Sequence, residues 1–147
     1  MIGQQRTAGE LMSTPVVVAS ADDHVAAARN ALLRTGLRHL VVLLDRPDGE
    51  GCAGVLDDRA LALREQDART PVMELVRART SCVRESSVMQ QIAAVMLRDH
   101  TDAVPVLRDD GRVVGIVTTT DLLRVIAALE PETARPLPRQ SERTPAG

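Results

Sequence analysis

The first half of the chain changes from an apolar run to an amphipathic stretch at a defined point. The run Val16–Ala19 predicts a short strand, and Val25, Ala28 and Leu32 then recur at the i, i+3, i+7 spacing of a helix that ends near Gly36. The hydrophobic period therefore changes from about two to about 3.6, as expected where a strand leads into a helix.

Two strands and a second helix complete this half. The runs Leu40–Leu44 and Cys52–Leu56 predict strands, and the segment Arg46–Gly51 between them carries the Pro, Asp and Gly of a turn. A second helix is expected from about Asp58 to Gln66. The predicted order is strand, helix, strand, strand, helix.

The second half repeats this order. Ser87 and Gln90 have the spacing of a capping box and predict the start of a helix, Val88–Arg98. An Asp-Asp-Gly hairpin signal within Arg108–Arg112 separates two further strands. The remaining elements are expected at Ala103–Leu107, Val113–Val117 and Thr118–Leu129.

The two halves are an internal duplication. Val25 aligns with Val88 at an offset of 63, and Gly54 aligns with Gly115 at an offset of 61, so one loop is two residues longer in the first copy. Repeats of this length are single supersecondary units that bury their apolar faces against each other. The expected fold is α+β, with two β-α-β-β-α repeats packed with pseudo-twofold symmetry around facing small sheets.

The predicted domain limits follow from the same pattern. The first repeat covers residues 7–66 and the second covers residues 71–129. Residues 130–147 are rich in Pro and nearly free of apolar side chains, so this tail is predicted to be disordered. The apolar runs are far shorter than the ~20 residues of a membrane span. With no signal-peptide pattern at the start, we expect a cytoplasmic protein without a membrane partner.

Composition excludes several classes of function. The net charge is −2, and all 18 basic side chains are Arg, so no polyanion-binding surface is indicated. The chain has no Phe, Tyr or Trp on which nucleic acid bases could stack, so no nucleic acid partner is expected. Any bound ring must lie between aliphatic side chains.

Neither metal binding nor catalysis is indicated. Cys52 and Cys82 lack the spacing of a metal site, and each is expected to be a small buried side chain in a strand. His24, His39 and His100 are scattered along the chain and form no catalytic pattern with a nucleophile. We therefore expect a protein that is not an enzyme.

The string Gly-Ile-Val-Thr-Thr-Thr-Asp, at 115–121, lies where a strand turns into a helix. The unpaired N–H groups of a helix start can receive hydroxyls or phosphates, and the Asp121 carboxylate can accept two hydrogen bonds from vicinal hydroxyls of a ribose. The same Thr-x-x-Asp spacing is also that of a capping box, in which Thr118 and Asp121 serve only the helix. Both interpretations stay open at this point.

The combined pattern resembles a known family. Each copy has an early helix start, Asp-Asp-His-Val at 22–25 or Ser-Ser-Val at 86–88, and the second copy adds Ala-Val-Pro-Val at 103–106 before its Gly-x-x-Thr-x-x-Asp motif. This order resembles a tandem pair of cystathionine β-synthase (CBS) domains, a Bateman module, over Thr7 to about Leu129.

The resemblance implies a regulatory module that binds AMP, ADP, ATP or S-adenosylmethionine in clefts between the copies. It implies that Asp121 holds the ribose, with Thr118 and Thr119 beside it. The first copy would contribute two groups of residues. Adenine contacts are implied for Val16, Val17 and Val18. The opposite wall of the cleft would be formed by Arg38, His39 and Leu40. Arg59 would be a basic partner of the phosphate.

The first copy departs from the motif. Asp57 stands at the threonine position and Ala60 at the aspartate position, and alanine accepts no hydrogen bond from a hydroxyl. One competent site in the chain is therefore expected.

The resemblance further implies a homodimer that pairs through its helices and acts on an unknown effector protein. No cofactor is obligatory in this interpretation. The alternative function is a ligand-free dimerisation or interaction module of the same fold.

Overall fold

The computed structural model describes residues 6–46, 49–62, 68–76 and 80–129. Five α-helices lie within these ranges: α1 Ala8–Leu11, α2 Val25–Thr35, α3 Asp58–Ala62, α4 Met89–Asp99 and α5 Thr119–Leu129. Six strands accompany them: β1 Val17–Ser20, β2 His39–Arg46, β3 Gly49–Asp57, β4 Val83–Arg84, β5 Ala103–Leu107 and β6 Val113–Thr118. A 3-10 turn at Val72–Leu75 precedes β4, the first strand of the second repeat.

The strands form two three-stranded sheets of the same topology. In the first sheet β1 runs parallel to β2, and β2 pairs antiparallel with β3. In the second sheet β4, β5 and β6 repeat this arrangement. Both hairpins carry an irregularity after the equivalent valine, Val42 or Val106. The predicted α+β fold of two β-α-β-β-α repeats is confirmed.

The structure corrects the alignment between the copies. His24 and Val88 are the N-caps of α2 and α4, so helices and inner strands correspond at an offset of 64, not 63. After the hairpin turn the offset is 61, because Val42 pairs with Gly54 as Val106 pairs with Gly115. The loop of the first copy is therefore three residues longer.

The same shift corrects the predicted capping box. The N-cap of α4 is Val88, whose N–H donates to Oε1 of Gln91 at 2.9 Å. Ser87 lies one residue earlier, and its hydroxyl accepts from the N–H of Arg84 at 3.0 Å. The Ser87–Gln90 pair had the right spacing, but the helix begins one residue later than it predicts.

The two repeats exchange their leading segments. Helix α1, at the start of the chain, packs on the second repeat, where the Ala8 N–H donates to the Ser87 carbonyl at 2.7 Å. The connecting segment packs on the first repeat, where the Val72 N–H donates to the Asp23 carbonyl at 2.8 Å. Ala8 and Val72 are both fully buried, and they are equivalent because they correspond at the offset of 64. This exchange ties each repeat to the chain segment that precedes the other.

Within the described residues, apolar side chains form three clusters. One lies between the first sheet and its helices, and it contains Val17, Leu40 and Val42. A second lies in the same place in the second repeat. The third joins the repeats, and we call it the seam: Val41, Ala103 and Ile116 are buried there, with Val16, Leu43, Cys52, Val55 and Val113 packed against them.

Several predictions fall wholly or partly outside the described residues. The second helix of the first copy is described only as Asp58–Ala62, so its predicted end at Gln66 lies beyond them, as does the predicted tail 130–147. Among the helices that the structure describes, none has the length and hydropathy needed to cross a membrane.

Candidate functional site

The first sheet has one face toward its helices and one toward the second repeat. Along β2, Leu40 and Val42 belong to the core of the first repeat, whereas Val41 and Leu43 belong to the seam. Successive side chains of a strand point to opposite faces. His39 therefore lies on the same face as Val41, toward the second repeat, where it is half-buried.

Two valines of the first repeat share this face with His39. Val16 packs in the seam, and Val18 lies two residues further along beside its register partner Val41. Val41 is fully buried, but Val18 is 48% exposed. The sheet thus presents an aliphatic surface that is covered at Val41 and open at Val18. The aliphatic surface therefore becomes accessible at the edge of the seam.

The second repeat faces these valines with strand β6. Ile116 lies in the seam cluster with Val16, and the backbone of Ser13 exchanges two hydrogen bonds with Ile116, at 2.8 and 3.2 Å. Thr118 lies two residues beyond Ile116 and so on the same face of the strand. The structure therefore places Val16 of the first repeat, and Ile116 and Thr118 of the second, on the faces that meet between the repeats.

Two predicted residues lie on the other face. Val17 is 8% exposed and Leu40 is fully buried, and both pack in the core of the first repeat. Strand alternation prevents three consecutive valines from lining one cleft, so we leave the side chains of Val17 and Leu40 out of the site. Both residues keep their neighbours in place through the backbone register of β1 and β2.

Arg38 precedes His39 and lies on the helix side of the sheet. Its side chain lines a groove of about 400 Å³ between α2 and α3, together with Arg29, Asp58 and several leucines. This groove belongs to the first repeat and does not lie at the seam. The structure therefore separates Arg38 from His39, which sequence proximity had grouped together. Arg59, at the start of α3, is exposed.

Thr118 and Asp121 form the cap of α5. The Oδ2 atom of Asp121 accepts from the Thr118 N–H at 2.8 Å and from the Thr118 hydroxyl at 3.0 Å. The Asp121 N–H in turn contacts the Thr118 hydroxyl at 3.4 Å. Because both bonds to the carboxylate end on Oδ2, they use about half of the acceptor capacity of that group. The capping interpretation of the motif is thus confirmed.

The first N–H groups of α5 are engaged within the protein. The Thr119 N–H donates to the Asp102 carbonyl at 2.9 Å, and the Thr119 hydroxyl contacts the same carbonyl at 3.4 Å. With Thr118 and Asp121 also bonded, the helix start does not offer these groups to a phosphate.

The first repeat caps its equivalent helix in a different way. Asp57, at the position of Thr118, accepts from the Ala60 N–H at 2.8 Å through Oδ1. The Asp58 N–H donates to the Arg38 carbonyl at 3.0 Å, as Thr119 does to Asp102. Asp57 thus performs the cap alone, and Ala60 provides no acceptor where Asp121 stands in the second repeat. The two helix starts therefore differ in the way that the sequence predicts.

The cysteines differ from their predicted placement. Cys52 lies in β3, but Cys82 precedes β4 rather than lying in a strand, and both are half-buried. Their thiols hydrogen-bond to each other, which links the two repeats. Sequence reasoning missed this contact, because only the offsets of 64 and 61 reveal that the two residues face one cleft. Among the described residues, no group of three or more His, Cys, Asp and Glu could hold a metal ion.

Comparisons with known proteins agree with this architecture. A curated relative, the A-adding tRNA nucleotidyltransferase of Geobacter sulfurreducens, is 29% identical over 139 residues, which are 93% of this chain and 15% of the relative. The chain therefore corresponds to a small part of that relative. The solved cytosolic domain of the Mg²⁺ channel MgtE, in complex with ATP, has a TM-score of 0.67 and 29% identity, over 82% of this chain and 48% of that one.

A second solved structure is matched over its whole length. The CBS domain pair of protein MJ0100, in complex with 5′-methylthioadenosine and S-adenosyl-L-methionine, has a TM-score of 0.71 and 21% identity, over 86% of this chain and 100% of that one. The family described as CBS domain matches the present sequence twice, over residues 8–65 and 70–128. The chain therefore belongs to the CBS domain family and carries two such domains packed as a pair.

Proposed function

We propose that this CBS pair is a regulatory module that binds an adenine nucleotide or S-adenosylmethionine in one cleft between its repeats. The observation that carries the proposal is the shared face of Val16, Val18 and His39, which meets Ile116 and Thr118 at the seam. In this proposal the module catalyses no reaction. It regulates a separate effector protein when the ligand binds.

Adenine is the chemical group that suits the open end of the seam. Val18 exposes nearly half of its surface beside the buried Val41, and covering such aliphatic area stabilises by about 25 cal/mol per Å². The chain has no aromatic residue, so an adenine ring would lie between aliphatic side chains. Val16 and Val18 provide one such wall, and Ile116 borders it from the second repeat.

Asp121 is the proposed partner of the ribose. Its carboxylate is half-buried, and the capping bonds from Thr118 end on one oxygen. A carboxylate has about four acceptor sites, so the cap and two ribose hydroxyls can be served together. Thr118 orients the carboxylate in this proposal, and Thr119 borders it.

The phosphate partners are side chains. His39 lies on the same face as Val41, and its ring N–H can donate a hydrogen bond to a phosphate. Arg59 is exposed at the start of α3, and it is the second proposed partner because a guanidinium binds an anion through forked donors. Arg38 would have to leave the groove between α2 and α3 to take part, so we assign it a minor role.

The comparison with MgtE supports this choice of ligand. That cytosolic domain was solved with ATP and shares 29% identity with 82% of the present chain. The match covers 48% of that MgtE chain, and the ligand is carried over for this matched part.

The proposal is tested by thermal melting with AMP, ADP, ATP and S-adenosylmethionine. A ligand at 100 times its dissociation constant stabilises the folded state by about 2.7 kcal/mol, which raises Tm by several degrees. Calorimetry or a dye provides the readout, since the chain has no Trp. We expect Asp121→Ala to abolish the rise. Failure of all four ligands to raise Tm would refute the proposal.

Asp57→Ala is the matched control. It removes a carboxylate that accepts a hydrogen bond at a helix start, as Asp121→Ala does, but in the first repeat and without touching the ribose carboxylate. Both variants should lose about 1 kcal/mol of stability. Only Asp121→Ala should also lose the response to nucleotide. An equal loss of response in both variants would show that capping, rather than ribose binding, explains the effect.

The capping contacts of Asp121 also support a second candidate function. A carboxylate that already serves its own helix has a structural role without any ligand. The module would then act by association alone, as a dimerisation or interaction unit. Absence of nucleotide binding together with a stable dimer is the result expected for this alternative.

A homodimer is proposed in either case. Leu33 on α2 and Leu97 on α4 are 76% and 78% exposed, and they occupy equivalent positions in the two repeats. On α5, Leu123 and Ile126 are also more than half exposed. Because equivalent leucines lie on both repeats, a second copy can cover both of them in one isologous interface.

A further inference from the structure

The second cleft has two cysteines at the positions that hold two valines in the first cleft. At the offset of 64, Cys82 occupies the position of Val18, and at the offset of 61, Cys52 occupies the position of Val113. Val113 and Cys52 both pack against the seam, and each pairs with the equivalent leucine of the neighbouring strand. The thiols therefore lie at the place that corresponds to the adenine wall of the proposed site.

These thiols belong to different repeats and interact with each other. Cys52 packs against the seam, and Cys82 lies on the seam side because its neighbour Val83 points into the core of the second repeat. Cys52 lies in β3 of the first repeat, opposite Leu43, and Cys82 lies just before β4 of the second. Both side chains are half-buried. The segment that carries Cys82 is fixed on α4, because Ser81 accepts from Arg98 at 2.7 Å and donates to Asp99 at 3.4 Å. The contact thus joins two ordered elements.

We propose that Cys52 and Cys82 are a redox-active pair that forms a reversible disulfide between the repeats when the protein meets a hydroperoxide. The bond would close the second cleft and fix the two sheets to each other. It goes beyond nucleotide binding, because it uses the cleft that lacks the ribose carboxylate.

The electrostatics of the pair assign an order to the chemistry. The hydrogen bond from Cys82 lowers the pKa of Cys52, burial opposes this change, and the backbone of Gly54 adds to the lowering. The same hydrogen bond, together with burial and the nearby Cys52 charge, raises the pKa of Cys82. Cys52 is therefore the attacking thiolate, since the thiolate is the nucleophilic form.

The reaction proceeds in two balanced steps. The Cys52 thiolate attacks one oxygen of the hydroperoxide, the O–O bond breaks, and the products are a Cys52 sulfenic acid and hydroxide or alkoxide. The Cys82 sulfur then attacks the sulfenic sulfur, and the hydroxyl leaves with the thiol proton as water. Two thiols have lost two electrons and two protons to the peroxide. A dithiol reductant reverses the change by exchange.

The test begins with the full chain treated with hydrogen peroxide at neutral pH. We expect both free thiols to disappear together, the monomer mass to fall by about 2 Da, and dithiothreitol to restore both thiols. Peptide mapping should place the bond between Cys52 and Cys82. The oxidised chain should melt roughly 10 °C higher, because the link closes a loop between the repeats.

Two variants make the test specific. In Cys82→Ser the sulfenic acid on Cys52 has no partner and should be trapped by a dimedone reagent, whereas Cys52→Ser should react more slowly with peroxide. Thiols that stay free under peroxide would overturn the proposal. So would bonds found only between chains, or an unchanged melting temperature after oxidation.

Discussion

Gly115 lies directly beneath the side chain of Met12, and a Cβ atom at this glycine would overlap it. Gly54 has the same relationship to Val76 in the first repeat. Met12 follows α1, and Val76 follows the equivalent segment between the repeats, at the same offset of 64. The glycine that opens the Gly-x-x-Thr-x-x-Asp motif is therefore explained by packing. It admits the exchanged segment that holds the repeats together.

Gly115→Ala should consequently destabilise the protein by overpacking. Such changes cost about 1 to 3 kcal/mol, and for a domain of this size that lowers Tm by roughly 3 to 10 °C. Differential scanning calorimetry measures the change. Gly9→Ala is the control, since a Cβ there meets nothing closer than the Glu85 carbonyl oxygen at 3.4 Å, an ordinary contact. Equal melting of the two variants would contradict the packing explanation.

The ends of α2 and α4 provide a second prediction. The C-cap residue is Gly36 with φ 70° in the first repeat and His100 with φ 52° in the second. Left-handed backbone favours Gly, because other residues place Cβ too close to the backbone. His100→Gly should therefore stabilise by up to about 1 kcal/mol, and Gly36→Ala should destabilise by about as much. Urea unfolding curves would show opposite shifts in midpoint, and shifts of the same sign would count against this account.

The asymmetry of the two clefts provides a third prediction, which rests on the proposed function. The double substitution Asp57→Thr with Ala60→Asp restores the Thr-x-x-Asp pattern in the first repeat while keeping a helix cap. Titration calorimetry should then show two nucleotides bound per chain instead of one. A stoichiometry that stays at one would show that the second cleft is closed for reasons other than the missing carboxylate.

Val18 provides a prediction for the adenine wall. Its side chain is 48% exposed, so Val18→Glu should leave the fold intact while placing a charge on the aliphatic surface. Burying that charge under a ring is costly, and nucleotide affinity should fall at least tenfold. Asn30→Glu, at an exposed position within α2, is a control for added charge. A Val18 variant that binds as tightly as the parent would remove this surface from the site.

Association of two copies can be tested at the helices. Leu33→Glu combined with Leu97→Glu should convert the proposed dimer into a monomer, because charged groups cannot be buried unpaired. Ala27→Glu adds the same charge to an exposed position of α2. This position points about 120° away from Leu33 around the helix axis. Sedimentation should show a dimer for the parent and the Ala27 variant, and a monomer for the double variant. A monomeric parent would end this proposal.

Most of the architecture could be predicted because hydrophobic periodicity is a local property. The strand Ala103–Leu107 was predicted at its observed limits, and α2 ends at Gly36 as the sequence indicated. The offset between the copies was wrong by one residue, since the apolar runs Leu40–Leu44 and Ala103–Leu107 can be aligned at either 63 or 64. The helix N-caps His24 and Val88 and the paired registers of the two hairpins both give the offset of 64.

The site was harder to predict, because a residue belongs to it only if its side chain points toward the seam. The place of a residue in the sequence does not decide this. Val16, Val17 and Val18 are the same residue type. Because side chains alternate along a strand, Val17 packs in the core of the first repeat, and the other two lie on the face toward the seam. Arg38 and His39 are separated by the same alternation. The contact between Cys52 and Cys82 joins residues of different repeats, so no local pattern could reveal it.

The sequence by itself determined the duplication, the order of elements and the loss of the aspartate at Ala60, because these depend on residue identity along one chain. The tertiary structure decided which faces meet, that Asp121 caps its own helix, and that each repeat is completed by the segment that precedes the other in the chain. These features depend on long-range packing and hydrogen bonding. Such contacts form only after distant strands and helices have been brought together.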